Sequence, residues 1–205
     1  SGKSHTAAMC VLADYFCFPN ATTILCCSTT LEALENRVWG EIKSLFRASK
    51  HLWPTLPGNL IESRKRIVTD ENSSGEGRDF RNGMMAVPCK RGGEFAGISD
   101  FIGIKNKRLR LLGDELSLLP RLFCDAVSNL DKNTDFKFIG LGNPKDTTDA
   151  LGLMAEPAAH IGGWEGGIDQ KPGTKTWETR RQNGICIQLP GTDSPNLDGK
   201  LGIPL

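Results

Sequence analysis

The sequence predicts an α/β fold, a three-layer sandwich with a mainly parallel sheet between helices. Three observations predict it. Short apolar runs at residues 22–27, 109–113 and 136–141 read as strands buried on both faces. Helical patterns alternate with them, which is the order a parallel sheet needs. Two of the runs end in polar residues, Asp114-Glu115 and Asn143, at the carboxyl ends where open α/β sheets bind ligands.

The chain opens Ser1-Gly2-Lys3-Ser4, which matches the tail of the phosphate-binding pattern G-x-x-x-x-G-K-[ST]. Gly2 lets backbone approach a phosphate. Lys3 supplies a point charge to the β- and γ-phosphates, and the Ser4 hydroxyl is a Mg²⁺ ligand. The tripeptide alone equally suits an ordinary helix start with a serine cap. A helix does follow over residues 5–18, apolar except for Asp14 and stopped by Pro19. Because the pattern begins part-way, the sequence reads as a fragment lacking a first strand and half the loop. Such a fragment is expected to hydrolyse nucleotide poorly, since positioning supplies most of the catalysis in phosphoryl transfer.

After the strand at 22–27 comes a helix over 31–48, with Leu31, Leu34, Val38, Ile42, Leu45 and Phe46 at helical spacing and Thr30 as its cap. Residues 51–81 change character, with prolines, the basic run Arg64-Lys65-Arg66 and a polar turn over 70–79. Residues 82–89 are expected to pair back on Ile67-Val68 as a hairpin. Lys90-Arg91-Gly92-Gly93 reads as a basic glycine turn, and residues 101–105 lead into the strand that ends at Asp114 and Glu115.

Asp114 suits a Mg²⁺ ligand acting through water, and Glu115 a general base for the attacking water. The competing reading is two solvated acids capping the next helix, 116–130. The strand at 136–141 ends in Gly142-Asn143-Pro144, where Asn143 either faces a γ-phosphate or makes a plain turn. Residues 145–182 read as glycine-rich and irregular, 185–189 as a strand and 190–198 as a turn cluster.

At 205 residues the chain is long enough for one domain with a real core. Its 39% hydrophobic and 24% charged content excludes a disordered chain. A formal charge of +1 neither demands nor excludes nucleic acid, so any DNA contact comes from local patches. The seven cysteines are odd in number and show no zinc-ligand spacing, Cys26 and Cys27 being adjacent. They read as buried, reduced thiols of a cytoplasm-like compartment. No apolar run is long enough to cross a bilayer, and no signal peptide is seen.

The order of these pieces, G-K-S, apolar helix, strand with Ser28-Thr29-Thr30, helix, hairpin, L-L-G-D-E-L and then G-L-G-N-P, resembles the ATPase domain of the large terminase subunit of tailed bacteriophages. The resemblance covers nearly the whole chain, and Asp193-Ser194-Pro195-Asn196 looks like a stretch near the end of such domains. It implies a P-loop NTPase of the additional-strand, RecA-like type with a β-hairpin insert, one domain over residues 1–205; the family usually carries a C-terminal nuclease domain as well, which is expected to be absent from these residues, so no nuclease activity is assigned.

The resemblance further implies ATP and Mg²⁺ as ligands. Gly2, Lys3, Ser4, His5 and Asn143 would contact the nucleotide, Ser4 and Asp114 the metal, and Glu115 and Lys3 would be catalytic. Double-stranded DNA held by its backbone, a portal protein, a small terminase subunit and a homo-oligomeric ring are the implied partners, with no membrane. The implied place is the bacterial host cytoplasm, at the procapsid portal. Arg78, Arg81, Arg91 and Arg108 are candidates for the additional cation that phosphoryl transfer requires. Arg64-Lys65-Arg66 and Lys105, Lys107, Arg108 and Arg110 are candidates for DNA contact. A helicase of the same fold, or a binding module with an accidental G-K-S, are the competing functions.

Overall fold

The computed structural model describes residues 2–69, 81–89, 104, 106–168, 173, 175–181 and 184–190. Arg78, Arg91, Lys105, the turns at 70–79 and 90–93, most of 101–105 and the stretch 193–196 lie outside the described residues. The chain divides into two compact units, Ser1–Leu151 and Gly152–Leu205.

The first unit is built on β1 (Thr22–Ser28), whose seven residues are all buried. It is flanked in parallel by β4 (Gly83–Pro88) and β5 (Arg108–Gly113), with Leu25 beside Met85 on one side and Leu111 on the other. β6 (Phe136–Gly140) continues the sheet in parallel beyond β5. β2 (Asn59–Ile61) and β3 (Arg66–Val68) extend the opposite side antiparallel, giving the order β2-β3-β4-β1-β5-β6. The hairpin expectation holds in its pairing, Ile67 opposite Met84. β4 also uses its other edge against β1, so the insert is welded into the main sheet.

Helix α1 (Gly2–Cys17) starts earlier than the sequence suggests, so Gly2, Lys3 and Ser4 form its first turn. The Thr6 hydroxyl donates back to the Gly2 carbonyl at 2.9 Å. Ala7, Ala8, Val11, Leu12 and Tyr15 form its buried face. Cys10 and Cys17 on the same helix are exposed, against the expectation of uniformly buried thiols; Cys26, Cys27, Cys89 and Cys124 are buried. Burial alone pushes the Cys26 thiol up to about 12.

The single helix expected over 31–48 is two, α2 (Leu31–Glu35) and α3 (Val38–Leu52). Thr30 does cap the first, its hydroxyl accepting from the Ala33 amide at 3.0 Å. The break falls at Asn36-Arg37, and Gly40 permits the close approach that follows it. A β-carbon there would lie 2.3 Å from the Glu35 carbonyl oxygen, so only glycine allows the two helices this offset. Trp39, Ile42 and Phe46 on α3 then pack on the α1 face, with Phe16 and Phe46 stacked at 6.0 Å.

The helix expected over 116–130 is also broken. A 3-10 turn (Leu116–Leu118) precedes α4 (Leu122–Leu130), because Pro120 forces Leu119 to extended dihedrals.

Helix α5 (Ala150–Ala155) runs into the second unit, which is not the irregular stretch expected of 145–182. Two 3-10 turns (Ala159–Ile161, Gly163–Gly166) lead to an antiparallel pair, β7 (Lys175–Glu178) and β8 (Ile185–Gln188). Its small core is aromatic. Trp164 and Trp177 meet edge-on at 6.1 Å, and the Trp177 indole N–H donates to the Ala155 carbonyl at 2.7 Å.

Candidate functional site at the carboxyl ends of the parallel strands

The ends of β1, β5 and β6 are locked in register beyond the strands themselves. The Asp114 amide donates to the Cys27 carbonyl at 2.8 Å, and the Leu141 amide donates to the Gly113 carbonyl at 2.8 Å. The Leu116 amide donates to the Leu141 carbonyl at 2.9 Å. Glu115 is caught between these fixed points and takes left-handed dihedrals, φ 54° and ψ 47°. A side-chain-bearing residue in that region costs on the order of 1 kcal/mol and persists where neighbours over-determine it. Its carboxylate makes no capping bond to the turn that follows, which removes the cap as its role.

Four of the sequence-predicted residues come together here. Lys3 Nζ donates to Asn143 Oδ1 at 2.9 Å and reaches the Gly142 carbonyl at 3.5 Å. Lys3 also acts electrostatically on Asp114. Asp114 is 5% exposed, and its Oδ2 has no hydrogen-bond partner. Burial raises its carboxyl above the ordinary range, partly offset by the positive charges of Arg37 and Lys3. Glu115 forms an ion pair with Arg37, Nη1 to Oε1.

Of the other predicted residues, Gly2 and Ser4 sit in the first turn of α1, in the same turn as Lys3. His5 is turned to α3, where Nδ1 meets Glu41 Oε2 at 2.9 Å. Arg108 is corrected as a candidate for the transferring phosphoryl group. It lies at the amino end of β5 and is held by Asp14 at 2.6 Å and Asp135 at 3.0 Å, over the ring of Phe18. Arg110 is committed to the same two acids. Neither therefore presents a free guanidinium to DNA. The Arg81 carbonyl bonds Thr23 and Asn106 at the amino end of the sheet, remote from Asp114 along the strands. Lys65 of the basic run is 2.5 Å from Glu35.

Arg37 was not among the residues the sequence singled out. A helical pattern read straight through 31–48 hides it. The available signal was Asn36 followed by Gly40, a breaker pair inside an amphipathic stretch.

Among the described residues no group of three or more His, Cys, Asp or Glu is placed to hold a metal by itself. A Mg²⁺ bound with a nucleotide does not need one, because it takes one or two protein ligands plus phosphate and water. The unsatisfied buried Oδ2 of Asp114 and the hydroxyl of Ser4 fit that ligand set. A cavity of ≈ 350 Å³ in the second unit, lined by His160, Trp177 and Glu178 among others, contains none of these residues. Among the described residues no helix is long and apolar enough to cross a membrane.

The six-stranded, mostly parallel sheet with its helices is a mixed α/β fold that matches the RecA-like P-loop fold. Solved structures with this fold include the large terminase of a thermophilic bacteriophage, at TM-score 0.50 and 14% identity over 70% of this chain and 31% of that one. The ATPase domain of the Thermus phage P74-26 large terminase, as a point mutant, matches at TM-score 0.48 and 18% identity over 71% of this chain and 56% of its own. The thermophilic phage enzyme in complex with ADP matches at TM-score 0.45 and 15% identity, over 69% and 30%. This chain thus spans about a third of the length of the first of these terminases. No protein-family model and no curated protein matches the sequence.

Proposed function

We propose that this chain is the ATP-hydrolysing motor domain of a large terminase, driving double-stranded viral DNA into a procapsid. One observation carries the reading: Lys3, at the front of the chain, lies on Asn143 and within electrostatic reach of the buried Asp114. In this reading the first-turn amides of α1 and Lys3 bind the β- and γ-phosphates of ATP. Lys3 exchanges its Asn143 partner for phosphate oxygen. Ser4 and Asp114 would hold Mg²⁺, which would neutralise charge on the phosphates. Glu115 takes the proton of the attacking water. Asn143, one strand over, reports the state of the γ-phosphate. His5 is given no step, since its ring is engaged by Glu41.

Contacts to DNA would be to its backbone, as a motor that moves any sequence requires. A portal protein, a small subunit and a ring of identical chains would complete the machine, at the procapsid portal in the bacterial cytoplasm. The likeness of the fold to a large terminase and the L-L-G-D-E-L and G-L-G-N-P strand ends support the motor reading, and the partners and place follow from that reading alone.

The test is ATP binding and hydrolysis by the full-length gene product and its Glu115→Gln variant. Binding is expected to persist while hydrolysis falls about a hundredfold or more. Unchanged hydrolysis, or a wild-type protein that binds no nucleotide, would sink the ATPase reading in favour of a binding module. Turnover stimulated by DNA only in a portal assembly separates a packaging motor from a helicase.

A further inference from the structure

Helix α3 begins beside Arg37 and ends, 15 residues on, at an apolar tip. At 1.5 Å per residue that tip lies about 22 Å from the candidate site. There Leu52 is 65% exposed and Trp53 60%, with Pro54 exposed next to them. A single exposed apolar side chain is ordinary. Here they are contiguous, and the backbone that carries them is fastened at several points. The Trp53 amide donates to the Ser49 carbonyl at 2.8 Å, and the Leu56 amide donates to the Trp53 carbonyl at 3.1 Å. Lys50 Nζ reaches over the turn and donates to the carbonyls of Pro54 at 3.2 Å and Leu56 at 2.7 Å. Gly58, at φ 100°, then lies against α1, where a β-carbon would come within 2.6 Å of the Tyr15 hydroxyl. A turn stitched in this way cannot fold its tryptophan inward; it holds the indole in solvent in one place.

The charge around the tip has one sign. From Ile42 to Ile61 the chain carries Lys43, Arg47, Lys50 and His51 and no acid. Lys43, Arg47 and Lys65 share only two carboxylates, those of Glu35 and Glu62. Lys50, bonded to carbonyls, adds its charge to that surplus.

We propose that Leu52 and Trp53, at the carboxyl end of α3, anchor a docking surface for an acidic protein segment that bears an apolar side chain. The inference stands apart from the ATPase reading. A tryptophan beside a basic surface is the kind of residue on which binding energy concentrates. Its turn is already ordered, so association costs little there in conformational freedom. The surplus of cations steers an acidic segment toward it and rejects a basic one. Duplex DNA would satisfy the cations but offers its phosphate backbone, not an apolar group, to Leu52 and Trp53.

The test is selection of a random peptide library on the immobilised full-length protein, with Trp53→Ala as the comparison. Both side chains are exposed, so the variant is expected to fold, and Leu52→Ala repeats the comparison. Peptides that prefer wild type are expected to lose about tenfold or more in affinity for Trp53→Ala. They are expected to carry net negative charge and an aromatic or aliphatic residue, and to bind more weakly as salt rises. Recovery of no peptide that distinguishes wild type from both variants overturns the proposal, as does a distinguishing set that is neutral or basic. Trp53-dependent self-association in sedimentation, or Trp53-dependent binding to duplex DNA or to phosphatidylserine vesicles, would give the surface another occupant and overturn it as well.

Discussion

Lys3 and Asn143, 140 positions apart in the chain, share a hydrogen bond of 2.9 Å between Nζ and Oδ1. Helix α1 and the end of β6 are thereby tied at the place where a phosphate would enter. Because both side chains are exposed, the bond contributes little to stability, within about 1 kcal/mol. Asn143→Ala is therefore expected to melt within a few degrees of wild type. Its effect belongs to turnover. Without the amide that parks Lys3, hydrolysis should fall severalfold, whereas Lys3→Ala should lose nucleotide binding itself. Equal loss of binding in both variants would show that Asn143 is a ligand of the nucleotide and not a rest for the lysine.

Asp114 is buried with one oxygen unsatisfied, which is costly. Its native pKa is raised, chiefly by burial, so between the ordinary carboxylate value and the native one the folded state binds the extra proton. Its contribution to stability falls as pH rises through that window, and the full penalty stands at neutral pH. Asp114→Asn is expected to raise the urea midpoint at pH 7, by about 0.5–2 kcal/mol of stability. The advantage should vanish at a pH below the ordinary carboxylate range. The same variant should hydrolyse no ATP. A variant less stable than wild type at pH 7 would mean that the charge is already well solvated.

At the other end of β5 the charges are structural. Arg110 is 8% exposed and bonds Asp14 at 2.6 Å and Asp135 at 3.1 Å, while Arg108 bridges the same two acids. This network pins α1 to the amino ends of β5 and β6. The Arg110 hydrogen bond holds the Asp135 carboxyl below its ordinary range. The stability it brings is present above that range and is lost as pH falls through it toward the depressed native value. Arg110→Ala leaves Asp14 and Asp135 to Arg108 alone and is expected to cost about 1–2 kcal/mol, less than breaking a fully buried pair because the carboxylates are partly exposed and keep one cation. Urea unfolding at pH 7 measures it. Nucleotide affinity of the folded protein should not change.

The strands at 22–27 and 109–113 were legible in the sequence because a strand buried along most of its length carries its signal locally, in a mainly apolar run. The strand at 136–141 was legible by the same pattern, but β6 is an edge strand and none of its residues is buried, against the expectation of burial on both faces. Lys3, Asp114, Glu115 and Asn143, which the structure brings together, were singled out by position: Asp114, Glu115 and Asn143 follow such runs, and Lys3 lies in the first turn of α1. The helix break at Asn36-Arg37 was not, since it depends on the close approach of the Glu35 carbonyl to Gly40, a contact that no periodicity records. Arg37 was lost with it. Arg108 and Arg110 were misread as exposed basic residues because their partners Asp14 and Asp135 lie in distant elements. In the second unit the strand at 185–189 was legible and is β8, but α5 and β7 were missed, because their order rests on two tryptophans and their indole bonds and not on an amphipathic pattern.

Gly40 offers a test in which local and tertiary effects oppose each other. In the interior of an ordinary helix, alanine is favoured over glycine by about 1 kcal/mol. At Gly40 the new β-carbon would meet the Glu35 backbone oxygen at 2.3 Å, and no rotamer change can relieve a clash with backbone. Helix α3 must then shift away from α2, disturbing Trp39 and Ile42, both fully buried. Gly40→Ala is expected to destabilise by about 1–3 kcal/mol despite the better propensity of alanine. The shift begins three residues from Arg37, so the ion pair with Glu115 should also be displaced. Chemical denaturation reads the first effect. The second is read by stability: Glu115→Gln should cost less in the Gly40→Ala background than in wild type, because the Arg37–Glu115 pair it removes is already displaced. A stabilised Gly40→Ala protein would show that α2 and α3 can merge into one continuous helix, and that the break which presents Arg37 is not imposed by this contact.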